Sequence, residues 1–258
     1  MSRVIAVANQ KGGVGKTTTV VNLSAALAER KRRVLVIDVD PQGNATSGLG
    51  IDKDSLESSV YEVFSGAKSL SSVLVGSVMP SLWVAPSNTD LVAVEIELSS
   101  AFARELILKR QIDALRPQFD YIFIDCPPSL GLLTVNAMVA ADSLLVPLQC
   151  EYYALEGISS LMQTVELAQQ NLNPELVVDG VVLTMYDGRT NLSRQVDEEA
   201  RQFFAEEVFQ SVIPRNVRLS ESPSFGQPIL LYDSESIGSL AYRSLAEELE
   251  RRLAGEPA

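Results

Sequence analysis

The residues best suited to chemistry are concentrated in the stretch 10–18, which reads Gln-Lys-Gly-Gly-Val-Gly-Lys-Thr-Thr. Glycines let consecutive backbone N–H groups turn inward around an anion, a lysine adds positive charge, and a threonine hydroxyl can ligate a cation. Lys16 and Thr17 occupy the last two positions of the phosphate-binding pattern G-x-x-x-x-G-K-[ST], but Gln10 stands where the pattern has its first glycine. The stretch therefore predicts a loop that holds nucleotide phosphates and departs from the standard form.

The flanking residues predict the elements that position this loop. The apolar run 4–8 favours a strand, and the apolar residues of 20–28 recur at helical spacing. A helix that begins directly after the loop directs its positive dipole end toward a bound anion. At this point a plain glycine-rich turn with a solvated lysine stays open as the alternative. Lys11 also has no evident task at phosphates that Lys16 already serves.

Carboxylates follow two further apolar runs. Asp38 and Asp40 end the run that begins at Val34, and Asp125 ends the run that begins at Phe119. Open α/β sheets bind ligands at the carboxyl ends of their strands, and an aspartate there orders the Mg²⁺ shell in phosphate-loop proteins. We predict that role for Asp125 and treat the other two aspartates as site candidates. A helix N-cap or an Asp-Pro turn is the alternative, and it explains one of them more easily than both.

Strands and helices alternate along most of the chain. No linker rich in proline, glycine or serine separates two halves, and no internal repeat is present. The pattern predicts an α/β fold, a single doubly wound and mainly parallel sheet with helices on both faces, forming one domain over residues 1–258. Further strands are predicted at 82–85, 143–148 and 177–184, and further helices at 60–64, 91–115, 155–172 and 237–253.

The composition narrows the possible chemistry. The chain has 258 residues, a net charge of −12, two cysteines and no histidine. Without histidine, catalysis has to rest on carboxylates, lysine, backbone amides and a cation held by oxygen atoms. The negative charge argues against a surface coated in basic residues, and no apolar stretch has the length of a membrane span. We therefore expect a cytoplasmic protein with no membrane partner.

Five blocks of sequence carry a resemblance to a known family: 11–18, 38–46, 124–131, 149–157 and 213–221. Through these blocks the chain resembles the ParA/Soj chromosome-partitioning ATPases, which form part of the deviant Walker A group of phosphate-loop proteins. The resemblance implies an ATPase with ATP and Mg²⁺ as cofactors and a homodimer that sandwiches ATP. It further implies nonspecific binding to double-stranded DNA of the nucleoid, and hydrolysis that a ParB-like centromere-binding protein stimulates.

The resemblance also implies tasks for single residues. Lys11 would reach across the dimer to the phosphates held by the partner subunit, and Lys16 would contact the β and γ phosphates. Asp40 would position the attacking water, so these three residues are the catalytic candidates. The metal candidates are Thr17, Asp125 and, in a supporting place, Asp38. The nucleotide-binding candidates are Lys11, Gly12, Gly13, Val14, Gly15, Lys16, Thr17 and Thr18 for the phosphates, with Pro214 and Asn216 for the adenine.

Three arginines are the candidates for DNA binding that the resemblance implies. They are Arg189, Arg215 and Arg218, and they would contact phosphates on one face of the dimer. Ordinary surface ion pairs are the alternative for these arginines. The chain starts two residues before the first predicted strand, so we expect no N-terminal helix-turn-helix region and no operator-specific binding.

Three rival functions stay in view. A MinD-like membrane-associated positioning ATPase would need an amphipathic C-terminal helix with large apolar and basic residues, whereas residues 245–258 contain neither Phe nor Trp and are not basic. A relative of the nitrogenase iron protein would hold an iron–sulfur cluster with Cys126 and Cys150, whose positions favour packing instead. A kinase or ligase on the same fold would need a substrate pocket that the sequence does not display.

Overall fold

The computed structural model describes residues 2–152 and 156–255. In these residues the chain forms a seven-stranded sheet with the order β3-β4-β2-β5-β1-β6-β7, and all neighbouring strands are parallel except β3 and β4. The strands are β1 (Arg3–Val7), β2 (Val34–Asp38), β3 (Val75–Gly76), β4 (Leu82–Ala85), β5 (Tyr121–Asp125), β6 (Ser143–Gln149) and β7 (Val177–Thr184).

The helices fill most of the connections between strands. The longer ones are α1 (Lys16–Glu29), α5 (Ile107–Asp113), α6 (Leu132–Ala140), α7 (Glu156–Asn171), α8 (Asn191–Phe204) and α11 (Ile237–Leu253). The shorter ones are α2 (Asn44–Gly48), α3 (Val60–Phe64), α4 (Val94–Glu97), α9 (Val217–Glu221) and α10 (Ile229–Tyr232). Among the described residues, no helix has the length and apolar character needed to cross a bilayer.

The central strands are apolar throughout because helices cover both faces of the sheet. In β1, Val4 and Ala6 pack into one hydrophobic core, whereas Ile5 and Val7 pack into the other. Buried residues of α5, α6, α7 and α8 belong to the first core, and those of α1, α10 and α11 belong to the second. The predicted fold class, a mainly parallel sheet with helices on both faces, is confirmed.

The prediction of helical structure over residues 91–115 is only partly correct. The structure divides this span into a 3-10 turn (Thr89–Ala93), α4, a second 3-10 turn (Arg104–Leu106) and α5. Ala103 takes a left-handed conformation with φ of 54°, which interrupts a helix, and the Arg104 side chain donates hydrogen bonds to the carbonyl groups of Leu98 and Ser99. The apolar periodicity therefore reports burial here without a continuous helix.

Strand order brings the chemically interesting residues to one edge of the sheet. β5 lies between β1 and β2, and the register places Asp38 directly beside Asp125. The loop after β1 leaves the sheet at the same edge, because parallel strands end on the same side. The predicted phosphate loop and both carboxylate-bearing strands consequently meet at the carboxyl end of the sheet.

Candidate nucleotide-binding site

The loop between β1 and α1 depends on glycine for its shape. Gly13 and Gly15 have φ values of 76° and 90°, a region that side chains rarely adopt. Gly15 is the N-cap of α1, and the Thr184 hydroxyl at the end of β7 donates a hydrogen bond of 2.8 Å to the Val14 carbonyl. The loop is thus held both by its own backbone conformation and by the neighbouring strand.

Lys16 lies at the first position of α1 and is largely buried, with 6% of its surface exposed. Its ammonium donates a hydrogen bond of 3.1 Å to the carbonyl of Lys11, across the loop. Burial lowers the pKa of Lys16, and the charge of Asp125 opposes that effect. A cation in this position suits an anionic ligand, which would replace the loop carbonyl as its partner.

Thr17 and Asp125 form the second part of the site. The Thr17 hydroxyl donates a hydrogen bond of 2.8 Å to Oδ2 of Asp125, and this carboxylate is fully buried. Its other oxygen, Oδ1, is buried without a hydrogen-bond partner among the described residues. Burial, together with the charge of Asp38, raises the pKa of Asp125 well above its usual value. A hydroxyl and a carboxylate with an unpartnered oxygen are a donor set that fits Mg²⁺.

Asp38 is also buried, but its two oxygens are engaged within the chain. Oδ1 accepts a hydrogen bond of 3.1 Å from the Asp40 N–H, and Oδ2 accepts bonds from the N–H and the hydroxyl of Thr46 at 2.8 and 2.7 Å. Burial raises the pKa of Asp38 to about 6 in spite of these bonds. Its clearest task in this structure is to fix the backbone of the loop 39–46.

Asp40 lies within that fixed loop and is 7% exposed. One of its carboxylate oxygens accepts a hydrogen bond of 2.9 Å from the Gln42 N–H, so the carboxylate direction is set locally. The site therefore contains Lys16 and Thr17 at the start of α1, Asp125 at the end of β5, and Asp40 in the loop after β2. This arrangement can bind a nucleoside triphosphate with a divalent cation, and it offers a carboxylate that can accept a hydrogen bond from a water molecule.

Lys11 has a partner that the sequence did not indicate. Its ammonium forms an ion pair with the carboxylate of Glu151, in the segment that follows β6. Asn9 fixes the backbone position of Lys11, because its side-chain oxygen accepts a 3.0 Å hydrogen bond from the Lys11 N–H. The amide of the same side chain donates a 2.8 Å bond to the Pro147 carbonyl in β6. The Lys11 side chain is therefore held against the segment after β6 of the same chain.

A cavity of about 330 Å³ lies next to the phosphate loop. Pro214 and Asn216 contribute to its walls together with Gly15 and Thr18 from the loop side. Asn216 is the N-cap of α9, and its side-chain oxygen accepts a 2.7 Å hydrogen bond from the Arg218 N–H. The cavity thus brings both predicted adenine contacts to the phosphate loop. Tyr242, Met185 and Leu219 supply further wall residues.

Comparisons with known proteins agree with this geometry. A family model described as an AAA domain matches residues 2–178. Soj of Bacillus subtilis, a sporulation initiation inhibitor protein, is 53% identical over 96% of this chain and 98% of its own. Relatives named chromosome partitioning protein ParA reach 52% identity. The chain belongs to the ParA/Soj family of chromosome-partitioning ATPases.

Solved structures place this ParA/Soj protein among phosphate-loop proteins of several names. A structure from Mycobacterium smegmatis described as cobyrinic acid a,c-diamide synthase, with bound ADP and magnesium, has a TM-score of 0.87 and 42% identity, covering 98% of this chain and 96% of its own. The septum site-determining protein MinD of Pyrococcus horikoshii, complexed with Mg-ADP, has a TM-score of 0.82 and 30% identity, covering 99% and 98%. The fold is shared by all three.

The arginines of this ParA/Soj protein that were predicted to bind DNA are exposed, and two are paired with acids. Nε and Nη2 of Arg189 donate hydrogen bonds to the two carboxylate oxygens of Asp187 at 2.9 and 2.7 Å, although the Arg189 side chain is 90% exposed. Arg218 donates a 2.9 Å bond to Glu221. Arg215 is exposed, and its charge contributes to the lowered pKa of Asp187.

The two cysteines lie where packing was expected. Cys126 and Cys150 are both buried and free. Burial raises the pKa of each thiol, which disfavours the thiolate that an iron–sulfur cluster needs as a ligand. The structure therefore gives no support to the redox alternative for this ParA/Soj protein.

Four residues that shape the site were not singled out from the sequence. Three of them contact residues that are distant along the chain, and the fourth, Thr46, lies inside the motif block 38–46. Asn9 and Thr184 could have been found from the sequence, because each is a polar residue at the end of an apolar strand. The four residues are Asn9, Thr46, Glu151 and Thr184.

Proposed function

We propose that this protein is an ATP-dependent segregation ATPase whose ATP-bound dimer holds DNA nonspecifically and releases it on hydrolysis. In this proposal the site binds ATP with Mg²⁺, two subunits enclose two nucleotides, and a ParB-like centromere-binding protein stimulates hydrolysis. The observation that carries the proposal is the buried Oδ1 of Asp125, without a partner among the described residues and beside Thr17 and Lys16. A buried carboxylate oxygen of this kind is costly unless a cation or donor occupies its neighbourhood.

The chain's own residues would divide the work of hydrolysis. Thr17 and Asp125 would hold Mg²⁺, which when bound neutralises charge on the phosphates. Lys16 would turn from the Lys11 carbonyl to the phosphates and stabilise the charge that grows on them. Asp40, held by its bond from Gln42, would orient the attacking water and accept a proton from it.

Lys11 would make hydrolysis depend on the dimer. A second cation near the leaving phosphate stabilises the transition state, and a cation supplied by another subunit acts only after the two subunits meet. In the single subunit Lys11 is paired with Glu151 instead. This observation supports a site that is incomplete until the partner subunit contributes its lysine.

DNA binding would follow from dimerisation through charge doubling. The chain as a whole carries a net charge of −12, so DNA has to be held by a local patch. Arg189, Arg215 and Arg218 are exposed, and Arg215 lines the cavity that would receive the adenine. A few phosphate contacts in each subunit bind weakly, and a dimer that presents two such sets binds much more strongly.

The membrane alternative has support from the likeness to MinD, and the C-terminal helix argues against it. Leu245 and Leu249 of α11 are buried in the core, so this face is not available to a lipid surface. Basic residues in the last turn of the helix, Arg251 and Arg252, are accompanied by acidic residues along the same helix. An anionic bilayer would gain little from such a helix.

The synthase name of one structural neighbour suggests a ligase alternative. That name belongs to a protein 42% identical to this chain, whereas Soj of Bacillus subtilis is 53% identical. An amidation would also require a second substrate next to the phosphates. Segregation is therefore the function that we favour.

DNA retention at two salt concentrations tests the proposal directly. The purified protein is passed over immobilised nonspecific duplex DNA with ATP and Mg²⁺, with ADP and Mg²⁺, and without nucleotide. We expect retention with ATP alone, and a loss of about tenfold or more on a fourfold increase in salt, since counterions are released on binding. Retention that is equal in all three nucleotide states would overturn the proposal. Recruitment to anionic vesicles by ATP, without DNA retention, would favour the membrane alternative.

A further inference from the structure

The ion pair between Lys11 and Glu151 joins two segments that are adjacent in the sheet and distant in sequence. Lys11 follows β1, Glu151 follows β6, and these two strands are neighbours in the parallel register. Both side chains are partly exposed, Lys11 to 39% and Glu151 to 33%, while Oε1 of Glu151, which faces the ammonium, is itself buried. The pair therefore lies at the surface of the nucleotide edge, where a second subunit would approach in the proposed dimer.

The backbone on either side of the pair is fixed independently of it. Asn9 is buried and ties the Lys11 N–H to the Pro147 carbonyl through its side-chain amide. On the other side, the Cys150 N–H donates a 3.1 Å bond to the Thr184 carbonyl, and the Glu151 N–H donates a 2.9 Å bond to the Gln149 carbonyl. Loss of the Glu151 charge would consequently free the Lys11 ammonium without dismantling either segment.

We propose that Glu151 is a positioning residue that holds the Lys11 ammonium within its own subunit and thereby opposes dimerisation. The proposal rests on the proposed function, in which Lys11 acts on the nucleotide of the partner subunit. Lys11 cannot serve Glu151 and a phosphate across the dimer at the same time, so each subunit has to open its pair before the dimer closes. The triphosphate of the partner subunit, with its larger negative charge, competes with the single charge of Glu151.

The expected size of the effect follows from the exposure of the pair. Partly exposed ion pairs change an equilibrium by about two- to fivefold. Two pairs open for each dimer that forms, so their removal should strengthen the dimer by about four- to 25-fold. The Lys11–Glu151 ion pair, called the latch below, is therefore weak enough for ATP to open it. It is strong enough to lower the fraction of dimer that forms without ATP.

The first test is the dimer dissociation constant, measured by sedimentation velocity with Mg²⁺ and a saturating non-hydrolysable ATP analogue. Glu151→Gln removes the charge at nearly constant shape, and we expect the dissociation constant to fall by about four- to 25-fold. Glu151→Asp keeps a carboxylate on a shorter side chain and should lie between the variant and the parent. Glu105→Gln is the matched control, because it removes the same charge and an ion pair of 3.0 Å with Arg104. This control should leave the dissociation constant unchanged.

The second test observes Lys11 in the nucleotide-free protein, where no dimer is required. Labelling with an amine-reactive acylating reagent, followed by peptide mass spectrometry, compares Lys11 with Lys53, whose ammonium donates a 2.8 Å bond to the Gln42 carbonyl. In Glu151→Gln we expect labelling of Lys11 to rise several-fold while Lys53 stays constant. Equal labelling of Lys11 in parent and variant would show that the pair does not hold the lysine and would overturn the proposal.

The outcomes separate this proposal from the proposed function. A dimer whose dissociation constant is unchanged or larger in Glu151→Gln contradicts the latch alone, since the dimer itself exists. If the parent and all variants stay monomeric with the ATP analogue, the dimer of the proposed function is wrong and the latch is wrong with it. A stronger dimer together with faster labelling of Lys11 supports both.

Discussion

Two regions of the protein differ in how completely one chain forms them. The phosphate-loop edge is the end of the sheet with Lys16, Asp38 and Asp125, and the arginine surface is formed by Arg189, Arg215 and Arg218. At the phosphate loop, Lys16, Asp38 and Asp125 are buried, and strands on either side hold their backbone. At the arginine surface, Arg189 is 90% exposed and is bound to Asp187, two residues before it in the chain. In the proposed function, the first region needs only its ligand for nucleotide binding and the partner's Lys11 for hydrolysis, whereas the second has to exchange an internal acid for a DNA phosphate.

The difference shows which properties a single subunit can determine. A buried site is expensive to leave half satisfied, so its geometry indicates the ligand that completes it. An exposed ion pair contributes little to stability, so it shows where an arginine lies and does not determine what the arginine binds. We therefore expect changes in the buried region to have large effects on nucleotide chemistry. Changes at the arginine surface should have smaller effects, confined to DNA.

The largest effect is expected for Lys16→Ala. Hydrogen bonds to charged groups contribute about 1.5 to 3 kcal/mol each, so the loss of two phosphate contacts should weaken ATP binding by about 100-fold or more. Isothermal titration calorimetry with Mg²⁺ and ATP measures the change. Lys109→Ala, which removes a half-exposed lysine near Asp113, is the control and should bind ATP like the parent. ATP binding by Lys16→Ala within a few-fold of the parent would remove the contrast between the two regions.

The next largest effect is expected for Asp40→Ala, and it concerns hydrolysis. A positioned general base contributes about 100- to 10,000-fold to rate, so phosphate release should slow by at least about 100-fold. The ATP-dependent dimer should persist, because Thr17, Asp125 and Lys16 are untouched. Phosphate release and sedimentation velocity measure the two properties, with the exposed Asp54→Ala as control. Turnover close to that of the parent would exclude Asp40 as the residue that positions water.

The double variant Arg189→Ala/Arg218→Ala tests the arginine surface. Each lost phosphate contact should reduce the slope of log affinity against log salt by about 0.9, and DNA retention at moderate salt should disappear. ATP affinity should stay the same, since neither side chain belongs to the phosphate loop. The control Arg110→Ala/Arg251→Ala removes the same charge from two exposed positions elsewhere. DNA retention that is equal in both double variants would mean that DNA binds to another surface.

The smallest effect is expected for Asp187→Asn. This change neutralises the carboxylate that would compete with a DNA phosphate for Arg189, and it leaves the arginine in place. Hydrogen bonds from Arg189 lower the pKa of Asp187 to about 2, so the acid is charged at every working pH. Neutralising it should raise DNA affinity by about two- to fivefold, equally at pH 6 and pH 8. Fluorescence anisotropy with labelled duplex DNA measures this change. Asp113→Asn, at another surface ion pair, is the control, and weaker DNA binding by Asp187→Asn would contradict the exchange of acid for phosphate.

The sequence was sufficient to predict features that depend on local pattern. Apolar runs of the right length predicted β2, β5, β6 and β7, and glycine spacing predicted the loop before α1. The bounds of α11 were also predicted, since its apolar positions follow a helical period. The extent of the single domain, 1–258, and the roles of the site residues stay predictions.

Other features depended on neighbours that local pattern does not reveal. The pairing of Lys11 with Glu151 arises because β6 lies beside β1, and strand order is a property of the whole sheet. The sequence predicts different tasks for Asp38 and Asp125 without giving their contacts. The hydrogen bonds show that Asp38 supports a loop, whereas Oδ1 of Asp125 has no partner among the described residues. The pairs formed by Arg189 and Arg218 were anticipated as the ordinary alternative, and the structure gives their partners.

The burial of the Asp38 carboxylate has a consequence for the nucleotide-free protein. An acid whose pKa is raised on folding, as that of Asp38 is to about 6, destabilises the folded state once the pH exceeds its value in the unfolded chain, near 4. The nucleotide-free protein should therefore have a higher melting temperature near pH 5 than at pH 7. In mild acid a proton neutralises the buried Asp38 carboxylate and removes this cost. Loading with Mg²⁺ and nucleotide should flatten the dependence, so that resistance to heat becomes a direct measure of occupancy.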